Sequence, residues 1–221
     1  MIQLTDICKI YKNSENNLPA LDHVSLNVEK GEMVAIMGPS GSGKTTLLNM
    51  IGCMDRMDSG TYEYDGKAVH LLKGRALDDF RRDHIAFIFQ NFAILKDYTV
   101  FENVELPLRA IGMPAKKRRE QVMGILEKVG LADYAKKLPT KLSGGQQQRC
   151  AIARALVGHA SLILADEPTG ALDTATGQEI MNLLLELKQE GITIIIVTHD
   201  PKIAAQADRT VYIRDGKIMQ S

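Results

Sequence analysis

Three stretches of the 221-residue chain carry residue types that can do phosphate chemistry together. The first is Gly38-Pro39-Ser40-Gly41-Ser42-Gly43-Lys44-Thr45. Its glycines let backbone N–H groups point inward without interference from a Cβ. Those donors, with the positive end of a following helix, bind a polyphosphate. Lys44 can reach the outer phosphates, and the Thr45 hydroxyl can hold Mg²⁺. The second is Asp166-Glu167, which ends the apolar run Leu162-Ile163-Leu164-Ala165. Ligands of open α/β sheets sit beyond the carboxyl ends of the strands. There Asp166 can hold Mg²⁺ through its water shell, and Glu167 can polarise an attacking water as general base. The third is Leu142-Ser143-Gly144-Gly145-Gln146, in which Ser143 is a good N-cap before small residues. Taken alone it is either a second anion site or an ordinary capped helix.

These residues need strands and helices in a definite order. Met33-Val34-Ala35-Ile36-Met37 predicts a buried strand leading into the glycine-rich loop, and Thr46–Ile51 a helix leaving it. Before them, Ile2–Ile10 predicts a strand ending near Tyr11, Lys12–Asn17 a turn, and His23–Val28 a half-exposed antiparallel strand. Gly60–Gly66 predicts an edge strand closed by Asp65-Gly66, and Ile85–Phe89 a buried strand with Gln90 at its end. From Asn91 to Val157 the spacing turns helical, over Val100–Ala110, Ala115–Val129 and Ser143–Val157. The α/β pattern resumes with Leu162–Ala165, a helix over Thr174–Glu190 and a strand over Thr193–Val197. A short helix near Lys202–Ala207 and a hairpin over Thr210–Met219 around Asp215-Gly216 close the chain. The expected organisation is one domain with a core of residues 1–90 and 158–221 and a helical subdomain inserted at 91–157.

Composition excludes several classes. Basic and acidic residues balance at 27 each, which argues against broad nucleic-acid binding. Cys8, Cys53 and Cys150 show no CxxC spacing and read as reduced thiols of a cytosolic protein. No signal peptide is expected at Met1-Ile2-Gln3-Leu4, and Ile192–Val197 is too short an apolar run to span a bilayer. The basic run Lys116-Lys117-Arg118-Arg119 reads as a solvated helix face.

With these stretches in this order, the chain resembles the nucleotide-binding domain of ATP-binding cassette (ABC) proteins over nearly its whole length. The likeness includes the P-loop Gly38–Thr45, Gln90 as Q-loop, Leu142–Gln146 as signature, Asp166-Glu167 as Walker B, Ala171-Leu172-Asp173 as D-loop and His199 as switch histidine. It implies a P-loop NTPase (RecA-like) α/β core with an antiparallel β subdomain and an inserted α-helical subdomain. The substrate would be ATP with Mg²⁺, the metal set Thr45, Gln90 and Asp166, and the catalytic set Glu167, His199 and Gln90. The nucleotide would meet Tyr11, stacked on adenine, and Gly38, Ser40, Gly41, Ser42, Gly43, Lys44, Thr45 and Thr46. Ser143, Gly145, Gln146 and Asp173 would complete the site across a head-to-tail homodimer.

Asp166-Glu167-Pro168-Thr169-Gly170-Ala171-Leu172-Asp173, Phe87–Phe92 and Glu102-Asn103-Val104 are similar to the branch of macrolide and antimicrobial-peptide exporters and lipoprotein-releasing complexes. Gly170 stands where many relatives carry Ser. The resemblance implies an ATPase subunit on the inner face of the cell membrane, held there by an integral permease without a span of its own. Phe92-Ala93-Ile94-Leu95 would form the cleft for a coupling helix of that permease. A small importer ATPase and a soluble single-cassette ATPase of cofactor assembly or cell division are the alternatives.

Overall fold

The computed structural model describes residues 1–11 and 19–219. The expected turn at Lys12–Asn17 lies outside the described residues. Among the described residues ten strands form two sheets. The smaller is antiparallel, in the order β2-β1-β4-β5, from β1 (Ile2–Ile10), β2 (Pro19–Val28), β4 (Ser59–Tyr64) and β5 (Lys67–Ala68). The larger has β3 (Met33–Met37), β6 (Ile85–Phe89), β7 (Leu162–Asp166) and β8 (Thr193–Val197), with the hairpin β9 (Arg209–Arg214) and β10 (Lys217–Met219). Its order is β10-β9-β3-β8-β7-β6, parallel except for the β9–β10 pair.

The parallel strands are buried on both faces, so they read as continuous apolar runs rather than as alternating ones. Their side chains still divide by the period of two. Met33, Ala35, Ala86, Ile88, Ile163, Ala165, Ile194 and Ile196 face one core, packed on the helices α3 (Val100–Ala110), α4 (Ala115–Lys128), α5 (Gly144–Leu156) and α6 (Thr174–Gln189). Val34, Ile36, Leu162, Leu164, Ile195 and Val197 face the other, filled by Leu47, Leu48 and Ile51 of α1 (Lys44–Ile51) and the inner face of the antiparallel sheet. The P-loop helix is thus wedged between two sheets.

Several features differ from the sequence reading. A helix, α2 (Arg75–His84), fills a stretch for which no element was expected. Only Phe80 of this helix is buried, edge-on to Tyr64 at a centroid distance of 5.2 Å, so no apolar stripe marks it. The predicted helix near Lys202–Ala207 is α7 (Pro201–Ala204), started by Asp200, whose carboxylate accepts from the Lys202 N–H at 2.8 Å. Among the described residues no helix is long and apolar enough to cross a membrane. The three cysteines are free; burial pushes the thiols of Cys53 and Cys150 up to about 12 and about 11, which keeps them protonated. In the basic run, Lys116, Lys117 and Arg119 are exposed, but half-buried Arg118 departs from the expected solvated face. Its guanidinium donates to Glu105 at 2.6 Å and to the Met113 carbonyl, pinning α4 to α3.

Candidate nucleotide site

The cleft begins where β3 passes into α1. Gly43 stands at the N-cap of α1 in the left-handed region, with φ of 105°. A Cβ there would come within 2.4 Å of the Ala20 carbonyl oxygen, and one on Gly38 within 2.1 Å of that of Ile213. Only glycine fits this close approach of loop to sheet. No side chain caps α1, and its first turn holds no acidic residue. The free N–H groups and the helix dipole are left for an anion from outside the chain. The Lys44 ammonium lies back over the loop, donating to the Gly38 and Pro39 carbonyls at 2.8 Å each.

An open cleft of about 340 Å³ runs along this loop, lined by Tyr11, Ser40, Gly41, Gly43, Lys44, Thr45, Thr46, Gln90, Asp166 and Glu167, with Ala20 and Val197. The sheet order explains the gathering. β3, β8, β7 and β6 are consecutive neighbours and parallel, so the loops at their carboxyl ends open at one edge. Asp166, at the end of β7, accepts a hydrogen bond of 3.2 Å from the Thr45 hydroxyl. Burial foremost, and then the Glu167 charge, raise the Asp166 carboxyl above its ordinary value, against Thr45 and Lys44. Two hard oxygen donors meet there at a carboxylate that a cation would favour in its charged form, and this donor set fits Mg²⁺.

Glu167 follows with φ of 48°, a left-handed conformation that costs a residue with a Cβ about 1–2 kcal/mol. Its N–H donates to the Val197 carbonyl at 2.9 Å, which fixes the residue across the ends of β7 and β8. Its carboxylate accepts from His199 Nδ1 at 2.8 Å. His199 is 74% exposed and Glu167 16%. The hydrogen bond and charge of Glu167 raise the His199 imidazole above its ordinary value.

Not every expected residue joins this cleft. Gly38, Ser42 and His199 do not line it, and Ser42 is buried with an unpartnered hydroxyl. Ser143, Gly145, Gln146 and Asp173 do not line it at all. They occupy helix starts instead. Ser143 caps α5 in a reciprocal box: its hydroxyl accepts from the Gln146 N–H at 3.3 Å, and its own N–H donates to the Gln146 side chain at 3.0 Å. The hydroxyl proton of Ser143 stays free to donate. Asp173 caps α6, accepting from Thr176 N–H at 3.0 Å and from its hydroxyl at 2.6 Å.

Two residues that build the site were given no role in it from sequence, although Asn103 was named in the Glu102-Asn103-Val104 stretch. Buried Asn103 holds the stretch after Gln90 by hydrogen bonds with both backbone groups of Leu95 and with the Tyr98 and Thr99 carbonyls. Arg154, in the last turn of α5, donates to the carbonyls of Phe92 at 3.3 Å and Ala93 at 2.7 Å. Both of those residues have positive φ, at 61° and 48°. In the sequence Arg154 was marked only by its position about two helical turns after the signature.

The chain matches the sequence family described as ABC transporter over residues 21–170, more than half its length. It is 52% identical over 221 residues to the uncharacterized ABC transporter ATP-binding protein YvrO of Bacillus subtilis (strain 168), covering 99% of this chain and 96% of that protein. It is 47% identical to the macrolide export ATP-binding/permease protein MacB of Escherichia coli (strain K12), over 100% of this chain but only 34% of MacB. Its fold aligns with the dimeric structure of MJ0796, a bacterial ABC transporter cassette, at a TM-score of 0.91 and 45% identity over 100% of this chain and 97% of that one. A dimeric post-hydrolysis state of the same cassette, bound to ADP and Pi, aligns at 0.91 and 44% identity, with the same coverage. With a P-loop, two acids and a histidine at the ends of adjacent parallel strands, and relatives matched along the whole chain, this protein belongs to the ABC transporter family as an ATP-binding cassette that hydrolyses ATP.

Proposed function

We propose that this cassette works as a head-to-tail homodimer that drives a membrane exporter of the macrolide, antimicrobial-peptide or lipoprotein-release type. It would sit on the cytoplasmic face of the membrane, bound to an integral permease. The observation that carries the dimer is the division of the anion-binding parts. The cleft gathers Lys44, Thr45, Gln90, Asp166 and Glu167, while Ser143, Gly145, Gln146 and Asp173 lie outside it. A second copy facing the first would bring the free N–H groups at the start of its α5 to the outer phosphate. ATP then joins the two copies, and its hydrolysis releases them. The identity with MacB supports the exporter branch.

The chain's own groups divide the work. The P-loop N–H groups and Lys44 hold the polyphosphate, and Tyr11 offers its ring to the adenine. Thr45, Asp166 and Gln90 would hold Mg²⁺, which would neutralise charge on the outer phosphates when bound. Glu167 takes a proton from the attacking water, and His199, hydrogen-bonded to Glu167, orients that carboxylate and reaches toward the outer phosphate. Gln90 reports the state of the cleft to the segment that follows it. In that segment half-exposed Ile94 and Leu95 offer an apolar surface for a permease helix, on a backbone held by Asn103 and Arg154.

Pull-down of the cassette from its native membranes, followed by topology mapping of the co-purified chain, tests the exporter reading. A permease with few spans and a large extracytoplasmic domain supports it. A many-span permease accompanied by a separate substrate-binding protein would replace export with import.

A further inference from the structure

The end of β1 carries a linked trio that phosphate chemistry does not require. Lys9 is 9% exposed, although lysine is almost never buried without a partner. Its ammonium donates to Asp55 Oδ1 at 2.9 Å and to the Arg56 carbonyl at 2.7 Å. The other carboxylate oxygen, Asp55 Oδ2, accepts from the Tyr11 hydroxyl at 2.8 Å. Desolvation works against the Asp55 charge, but the hydrogen bonds from Lys9 and Tyr11 outweigh it and hold the carboxyl below its ordinary value. Asp55 therefore stays ionised, gripped on one side by a buried cation and gripping a phenol on the other.

The place of this trio matters. Tyr11 lies beyond Ile10, the last residue of β1 registered with β2 among the described residues. The ring is 43% exposed and lines the same cleft as Lys44 and Thr46. Lys9 Nζ lies 5.1 Å from its centroid. Asp55 reaches it from the segment just after α1, the helix that starts at the P-loop. The tether at the hydroxyl thus fixes a flat aromatic surface relative to the phosphate loop before any nucleotide arrives. A side chain ordered in advance does not lose that freedom on binding.

We propose that Asp55, locked by Lys9, is a positioning residue that sets the Tyr11 ring as the platform for the nucleotide base, and so controls how much the base adds to affinity. This rests on the reading that Tyr11 receives the adenine. A lysine–aspartate pair that served only to close the fold would not need its second carboxylate oxygen on an exposed tyrosine at the cleft. The tether runs from Tyr11 to Asp55 and Lys9 and not to Lys44 or Thr45, so the device acts chiefly on the base; the Tyr11 hydroxyl also meets the Thr46 side chain at the start of α1.

The test measures dissociation constants of the purified full chain for MgATP and for inorganic tripolyphosphate, which has no base. Tyr11→Phe keeps the ring and the Lys9–Asp55 pair but removes the tether. It is expected to weaken MgATP by about 3- to 10-fold, the cost of ordering one side chain on binding, and to leave tripolyphosphate unchanged. Asp55→Asn should show the same selective loss, and the double variant should be no weaker than either single one. Tyr11→Ala separates the two levels of the argument. If it binds MgATP like the wild type, the adenine reading fails and the proposal with it. If it weakens MgATP while Tyr11→Phe does not, the ring is used but the tether is idle, and the role given to Asp55 is overturned. Equal weakening of MgATP and tripolyphosphate by Asp55→Asn would make the residue a structural one and also overturn it.

Discussion

Glu167 and His199 meet at 2.8 Å, carboxylate to Nδ1, across the ends of the neighbouring parallel strands β7 and β8. The pair holds the imidazole above the ordinary histidine value of about 6.5. A group whose folded value is raised contributes stability that is fully present below the unfolded value and is lost as pH rises through the raised one. The His199 ring signals followed by NMR should therefore titrate above the ordinary value, and Glu167→Gln should return them toward it. A titration unchanged by Glu167→Gln would show that the two groups are not coupled in solution.

Glu167→Gln keeps the size of the side chain and can still accept a hydrogen bond from water, but it cannot take a proton. Hydrolysis should fall by about 10²–10⁴-fold, the usual contribution of a general base. ATP binding should survive, and removal of a negative charge beside the outer phosphate should favour the closed pair. Gel filtration with Mg-ATP should show a stable dimer in the variant and a weaker or transient one in the wild type. Turnover near the wild-type rate would remove Glu167 as the base and leave His199 as the titratable candidate.

Lys44→Ala removes the ammonium that rests on the Gly38 and Pro39 carbonyls. Charge-assisted contacts with phosphate contribute roughly 1.5–3 kcal/mol, so ATP affinity should drop tenfold or more and turnover should vanish. The melting temperature should change little, because in the nucleotide-free protein the ammonium meets only carbonyls that water can satisfy. Calorimetric titration and thermal unfolding of the same sample separate the two effects.

Gly145→Ala reaches from the signature to the D-loop. The added Cβ would lie 2.3 Å from Thr176 Cγ2, and Thr176 donates its hydroxyl to Asp173. Thr176 has to shift, and the cap of α6 shifts with it. ATP-driven dimerisation and hydrolysis should both fall, while ATP binding to the monomer stays at the wild-type level. Normal dimerisation by light scattering would mean that the signature and the D-loop tolerate this displacement.

Much of the architecture was legible because the chemistry is local. β3 and β6 are five-residue apolar runs and β8 an apolar run behind Thr193, and a sheet covered on both faces has to be built from such runs. The start of α5 was legible through Ser143, since a cap uses residues three apart. The P-loop was legible because glycines, lysine and hydroxyl act within one turn of chain. Helix α2 was not, because its one buried residue, Phe80, gives no period to read, and ion pairs such as Arg81–Asp78 support it along its exposed side.

The sequence by itself determined which residues could bind phosphate, hold a cation and accept a proton, since residue type and short spacing decide those abilities. Only the tertiary structure decided which of them meet. Thr45 and Asp166 are 121 residues apart, Tyr11 and Asp55 44, and Glu167 and His199 32. Each of these contacts depends on sheet order and strand register, which arise from the burial of two separate cores and not from any neighbouring residue. The structure likewise decided that Ser143 and Gly145 stay away from the cleft of their own chain, because α5 packs across the helical face of the sheet while the P-loop lies between the two sheets.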